Sequence, residues 1–169
     1  MKSILRYPGS KWNLASKIVD LMPDHKSYLE PFFGSGAVLF TKGISNIETV
    51  NDLNEDVVNL FKVIQQDPAA LAKKIFLTPY SRVMYDRAWE VQPDNEVDKA
   101  LNFIIRSVMS HGFRNIEKSG WKMDVNGREK AYAVKHWNDL PELIQEMTLR
   151  LKQVQIECRP AIELIDKYS

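Results

Sequence analysis

An α/β fold built on a parallel sheet is predicted by three features of the 169-residue sequence. The opening stretch alternates strand, glycine turn, helix, strand, acid and helix, which is a βαβ unit. The closing stretch resumes that rhythm with helix, strand and helix. Between them lies a run of helical patterns followed by a polar, glycine-containing segment, the pattern of an insertion into the sheet.

Each element has a local reason. Met1–Lys11 is polar and ends in the loop-like Tyr7-Pro8-Gly9-Ser10-Lys11. A short helix should follow with Ile18, Leu21 and Met22 on one face, stopping at Pro23. Tyr28-Leu29-Glu30 reads as a strand, Pro31 through Gly36 as a turn, and Ala37-Val38-Leu39-Phe40 as the start of a helix. Ile47–Val50 reads as the second strand, ending at Asn51-Asp52. Asn54 is placed to cap a helix whose apolar side is Val57, Val58, Leu60, Phe61 and Ile64. Helical patterns occupy 68–76, 82–90 and 95–110, and Ser110–Tyr132 reads as a loop or hairpin. Leu140–Leu151 is an amphipathic helix, Val154–Cys158 an alternating strand, and Pro160–Tyr168 a helix with proline near its first turn.

Composition narrows the class. Apolar residues at 44% and charged residues at 27% suit a globular domain. A single cysteine, Cys158, rules out an internal disulfide and a multi-cysteine zinc site, which suits a reducing cytoplasm. No apolar run approaches the roughly 20 residues of a membrane span, and the polar N-terminus does not read as a secretory signal. The net charge is only +1, but residues 106–135 hold seven basic and three acidic side chains. That local excess suits phosphate contact or, equally, a solvated face.

The strongest motif is Glu30-Pro31-Phe32-Phe33-Gly34-Ser35-Gly36, a glycine turn between strand and helix. Asp52 follows Glu30 by 22 residues, at the end of the next strand. A glycine turn lets backbone approach a ligand, and an acid at that place accepts hydrogen bonds from ribose hydroxyls. A nicotinamide site would want a third glycine where Leu39 stands, and a P-loop is excluded by Ala37 and Val38. S-adenosylmethionine, which needs no phosphate cradle, is the ligand reading that is left; a purely structural turn is the alternative. Lys11, on its own glycine loop, could pair with a ligand carboxylate.

Taken together, Arg-Tyr-Pro-Gly-Ser-Lys at 6–11, Tyr-Leu-Glu-Pro-Phe-Phe-Gly-Ser-Gly at 28–36 and Asn-Asp-Leu-Asn at 51–54 resemble three consecutive motifs of the DNA adenine-N6 methyltransferase family of the Dam and phage type. Ser10 stands where the family has a second glycine. Ala100–Arg114 and Gly120–Tyr132 look like that family's target-recognition lobe, and Arg150–Leu164 like its third strand and following helix. The resemblance implies a partial doubly wound, Rossmann-like methyltransferase sheet. Its S-adenosylmethionine-binding part would be 1–66 and 136–169, with a mainly helical inserted lobe at 67–135. Tyr7, Lys11 and Asp52 map to cofactor-contacting positions, and Glu30, Pro31, Phe32, Gly34 and Gly36 to the cofactor loop.

The implied reaction is methyl transfer from S-adenosylmethionine to adenine in double-stranded DNA. In the lobe, Arg106, Arg114, Asn115, Lys118, Lys122 and Arg128 are the candidate DNA contacts. Phe113 and Trp121 are expected to pack inside it. His111 is as readily a structural loop residue as a DNA contact. The family grips a flipped adenine with an Asp/Asn-Pro-Pro-Tyr/Phe segment. The sequence has eight prolines, none adjacent, and Thr78-Pro79-Tyr80-Ser81 is no substitute. The expectations are therefore that no catalytic residue is present, that this chain alone has little or no activity, and that its first strand is an open edge. A second copy or a complementing chain could cover that edge.

Overall fold

A computed structural model describes residues 3–112, 117–125 and 132–168. Three short strands, β1 (Ser27–Glu30), β2 (Ile47–Asn51) and β3 (Val154–Glu157), form a parallel sheet in the order β1-β2-β3. Ser27 pairs with Ile47 and Glu30 with Val50; Glu48 pairs with Val154 and Asn51 with Glu157. Because the strands are parallel and in near register, their carboxyl ends lie side by side. The loops that follow them, after Glu30, Asn51 and Glu157, are therefore neighbours.

Seven helices surround the sheet among the described residues: α1 (Ala15–Asp20), α2 (Glu55–Gln66), α3 (Pro68–Leu77), α4 (Arg82–Glu90), α5 (Glu96–Val108), α6 (Tyr132–Leu151) and α7 (Ala161–Tyr168). Four of them start on a side-chain cap. The caps are Asn54 to the Asp56 N–H, Asp67 to Ala70, Ser81 to Met84 and Asn95 to Asp98. Asp67 is followed by Pro68, whose missing N–H costs nothing in the first turn. The buried faces of α2, α5 and α6 join Ile4, Leu5, Val50 and Val154 in one continuous core that also takes in Leu71, Ile75, Tyr85 and Ala88 from α3 and α4. The middle helices thus share their core with the sheet.

Three expectations need correction. Ala37–Phe40 does not start a regular helix; it is a run of turns closed by Phe40 N–H to the Gly36 carbonyl at 3.0 Å and Lys42 N–H to Val38 at 2.9 Å. Leu21 is not on the packed face of α1 but 85% exposed, because the helix ends at Asp20. The amphipathic helix of the closing stretch starts at Tyr132 rather than Leu140 and runs through Pro141. Packing holds this longer helix. Trp137 is buried and its indole N–H donates to the Thr78 carbonyl at 2.9 Å, and Thr148 donates to Ile64 at 3.0 Å.

The segment from Ser110 closes at its base like a hairpin: Ser110 bridges Trp121 in antiparallel sense, His111 N–H donates to Gly120 at 2.7 Å and Lys122 N–H to Met109 at 2.7 Å. Trp121 packs against Tyr80, 5.8 Å between ring centroids, with the Arg82 guanidinium 5.0 Å from its ring. Phe113 lies outside the described residues. No described helix is long and apolar enough to cross a membrane.

Candidate functional site

The three motif segments meet at the carboxyl end of the sheet. Asp52 is their junction. Its carboxylate accepts the Gly34 N–H at 2.7 Å through one oxygen and the Asn54 N–H at 2.9 Å through the other. The glycine turn is thereby tied to the acid that follows β2. Gly34 has φ +52°, and a methyl group there would lie 3.2 Å from the Tyr7 ring. The positive φ favours glycine, and any side chain would press on the Tyr7 ring.

Tyr7 packs on that turn from the N-terminal loop. The Asn54 amide donates to its hydroxyl at 3.4 Å. Burial, then the nearby Asp52 charge, raise the Tyr7 hydroxyl above its usual range, against the Asn54 contact, so it stays protonated. Ser10 makes a second tie across the same gap, its hydroxyl 2.9 Å from that of Ser35, a buried residue. The departure from the family's second glycine thus has a physical role: a glycine at position 10 could not make this bond. Lys11 is exposed, and its ammonium folds back onto the Gly9 carbonyl at 2.7 Å.

Glu30, the last residue of β1, accepts from the Tyr28 hydroxyl at 2.8 Å. Burial pushes its carboxyl up to about 7, against the opposing effects of Tyr28, the Leu39 N–H and Lys42. Pro31 offers its carbonyl to the Asn51 amide at 3.0 Å. Phe32 is 78% exposed beside the turn. Gly36 is different. It is buried at φ +71°, and a methyl group there would meet Phe40 and Phe33 at 2.6–2.8 Å. The aromatic core beneath the loop explains this glycine.

Sequence reasoning gave Asn54 a capping role only, and gave no individual role to Asn51, Ser35 or the ion cluster below the loops. Asn51 is buried, donates to Pro31 and Arg159 at 3.0 Å each, and accepts from the Arg159 N–H at 3.0 Å, so one amide clamps all three strand-end loops. Its place beside Asp52 at the strand end was the available signal. Glu48 sits in mid-sheet, paired with Lys42 at 2.6 Å and with both nitrogens of the Arg150 fork. No local signal joins residues so far apart in sequence. Among the described residues no group of His, Cys, Asp and Glu could hold a metal.

The candidate DNA contacts scatter. Arg106 lies against α2, its guanidinium 3.4 Å from Asp56 and 5.4 Å from the Trp89 ring. Lys118 is exposed and bridges Asp86 at 2.8 Å. Lys122 is half-buried, its ammonium 5.2 Å from the centroid of the Tyr132 ring. Arg114, Asn115 and Arg128 lie outside the described residues.

A family model described as D12 class N6 adenine-specific DNA methyltransferase matches residues 7–169. The chain is similar to the type II methyltransferase M.MjaIII of Methanocaldococcus jannaschii, 26% identical over 99% of this chain and 65% of that protein. It is similar to a DNA adenine methylase of Vibrio cholerae, 25% identical over 78% of this chain and 50% of the relative. It is also similar to the DNA N-6-adenine-methyltransferase of Escherichia phage P1, 33% identical over 41% of this chain and 9% of that protein. The matched stretch thus spans 65% or less of each of these three relatives.

Proposed function

The chain belongs to the D12 class of N6 adenine-specific DNA methyltransferases, and on that premise we propose that its strand-end loops bind S-adenosylmethionine as methyl donor for adenine in double-stranded DNA. The proposal includes a doubly wound methyltransferase sheet, with 1–66 and 136–169 as the cofactor-binding part and 67–135 as the target-recognition lobe. The observation that carries it is the meeting of three separate motif segments, with Gly34 bonded to Asp52, Asn54 bonded to Asp52 within its own segment, and the Asn54 amide bonded to Tyr7.

The residues present suit the donor. A carboxylate has about four acceptor positions. Two of those on Asp52 hold the Gly34 and Asn54 N–H groups, and the others can accept ribose hydroxyls. The positive φ of Gly34 brings backbone to the surface where a side chain would block it, and the Tyr7 ring gives a flat wall beside it. Glu30 offers a carboxylate to the donor's cationic end, and Lys11 on the outer loop an ammonium to its carboxylate. S-adenosylmethionine supplies a methyl group activated on a sulfonium; the protein's part is to hold that group in line with the attacking nitrogen and to exclude competing geometries.

Isothermal titration of the 169-residue chain with S-adenosylmethionine tests this. Binding is expected, and Asp52→Ala should weaken it roughly 10- to 100-fold, the worth of hydrogen bonds to a charged group. Unchanged affinity in that variant, or no binding by the parent chain, would overturn the reading.

The Glu30 carboxyl adds a pH dependence. Its value of about 7 is set by burial against the opposing charge of Lys42, with no ligand cation beside it. A cationic ligand group prefers the ionised form, so binding releases a proton below that value. Cofactor affinity should rise up to about tenfold per pH unit below 7 and level off above it. Glu30→Gln should flatten the profile; a flat profile in the parent would remove Glu30 from the cofactor contacts.

A further inference from the structure

Tyr28 and Glu30 are two residues apart on β1, so their side chains leave the same face of the sheet about 6.6 Å apart. A tyrosine side chain covers that span, and the Tyr28 hydroxyl donates to the Glu30 carboxylate at 2.8 Å. Tyr28 also pairs in register with Glu48 on β2. The Lys42 ammonium lies 4.5 Å from the centroid of the Tyr28 ring.

Lys42 does not serve Glu30 directly. An ammonium has three N–H groups, and those of Lys42 go to the Gly43 carbonyl, the Ser45 hydroxyl and the Glu48 carboxylate. Glu48 is held in turn by the Arg150 fork. The cation is thus fixed against the ring face and acts on Glu30 only through space. The Leu39 N–H also faces the Glu30 carboxyl. The His25 ring lies 5.9 Å from the Tyr28 ring, but its Nδ1 is 2.8 Å from the Pro23 carbonyl.

Packing alone does not explain the Tyr28 hydroxyl. Phenylalanine would fill the same buried space and keep the Lys42 contact, and a buried hydroxyl is tolerated only with a partner. Burial, then the Glu30 charge, push its titration far above the usual tyrosine range, so it remains a donor. A neutral donor fixes a carboxylate without cancelling its charge, which a bonded cation would do. Of the groups that oppose the effect of burial on Glu30, this hydroxyl is the strongest.

Resting on the reading given under the proposed function, we infer that Tyr28 is a positioning residue for Glu30: its hydroxyl orients the carboxylate for the cofactor's cationic end, while Lys42, anchored by Glu48, holds the ring. The buried ion cluster thereby supports the cofactor loop as well as the sheet.

NMR titration of the Glu30 carboxyl carbon in the 169-residue chain tests this, with S-adenosylmethionine affinity measured calorimetrically across the same pH range and thermal melting as the fold check. Tyr28→Phe is expected to raise the Glu30 midpoint by about one pH unit and to move the bend in the affinity profile with it. Its affinity loss should be about fivefold at pH 7 and shrink as pH rises. In a Glu30→Gln background the same substitution should change affinity less than about twofold, an outcome that a merely structural hydroxyl would not give. His25→Gln should leave midpoint and bend in place. In the parent chain, with no substitution, the Tyr28 ζ-carbon resonance should move with the Glu30 midpoint. Three results would each overturn the inference and leave the cofactor reading standing: a Glu30 midpoint unmoved in Tyr28→Phe, a Tyr28 resonance that ignores the Glu30 titration, or equal affinity losses with and without Glu30. A flat affinity profile in a parent chain that still binds S-adenosylmethionine removes Glu30 from the cofactor contacts and the positioning role with it. A parent chain that does not bind S-adenosylmethionine overturns the proposed function as well.

Discussion

Replacing Glu48 with glutamine is expected to lower the melting temperature at neutral pH by roughly 10 °C. Glu48 is 1% exposed, and its two partners, Lys42 and Arg150, are 3% and 11% exposed at the side chain. The Lys42 ammonium also gives bonds to the Gly43 carbonyl and the Ser45 hydroxyl at 2.6 and 2.8 Å, and lies 4.5 Å from the Tyr28 ring. One carboxylate thus balances two buried cations. Removing it leaves both without their anion, and breaking such a cluster typically costs about 3–5 kcal/mol.

A pH series separates this electrostatic cost from a packing defect. Burial alone would raise the Glu48 carboxyl, but hydrogen bonds from Arg150, Lys42 and the Ser45 N–H outweigh it and lower the value to about 2. The sign follows from linkage: a carboxylate with a depressed folded value adds stability above its unfolded value, and that stability is lost as pH falls through the folded one. The gap in melting temperature between parent and Glu48→Gln should therefore be full above pH 4.5 and shrink towards pH 2. A gap that stays constant over that range would show that the glutamine acts through packing instead.

The second large effect is at Gly36, where alanine should cost about 2–4 kcal/mol, a fall in melting temperature of roughly 5–15 °C. Two penalties combine. The residue has φ +71°, which disfavours any L side chain, and the added methyl would sit 2.6 Å from Phe40 and 2.7 Å from Phe33. Those rings have little room to retreat, because Phe33 packs edge-on against Phe61 at 4.7 Å and all three are buried. Gly43→Ala is the internal control, with no atom within 4 Å of the new methyl, and should be nearly neutral. Equal melting of the two variants would sink this account.

Gly36 also shows where reading a sequence stops. The pattern of Gly34-Ser35-Gly36 after a strand marks a tight turn, and that inference needs only local geometry. Which glycine lies against a ring and which against the N-terminal loop depends on Phe33, Phe40 and Tyr7, and local sequence does not say what packs where. The same holds for Arg106. Its place in a basic stretch suggested phosphate contact, yet the fold turns it onto Asp56 and Trp89.

What the sequence determined by itself was whatever depends on neighbours in the chain. It established the α/β order, the cap at Asn54, the turn before Gly36, the acid at the end of β2 and the family these motifs belong to. Tertiary structure decided what depends on residues far apart along the chain: the Asp52 junction of three loops, the Asn51 clamp, the buried Glu48 cluster and the length of α6. The physical reason is range. Backbone propensity and capping act over a few residues, whereas burial and charge pairing join Tyr7 to Gly34 and Glu48 to Arg150 only after the sheet and helices have closed around one core.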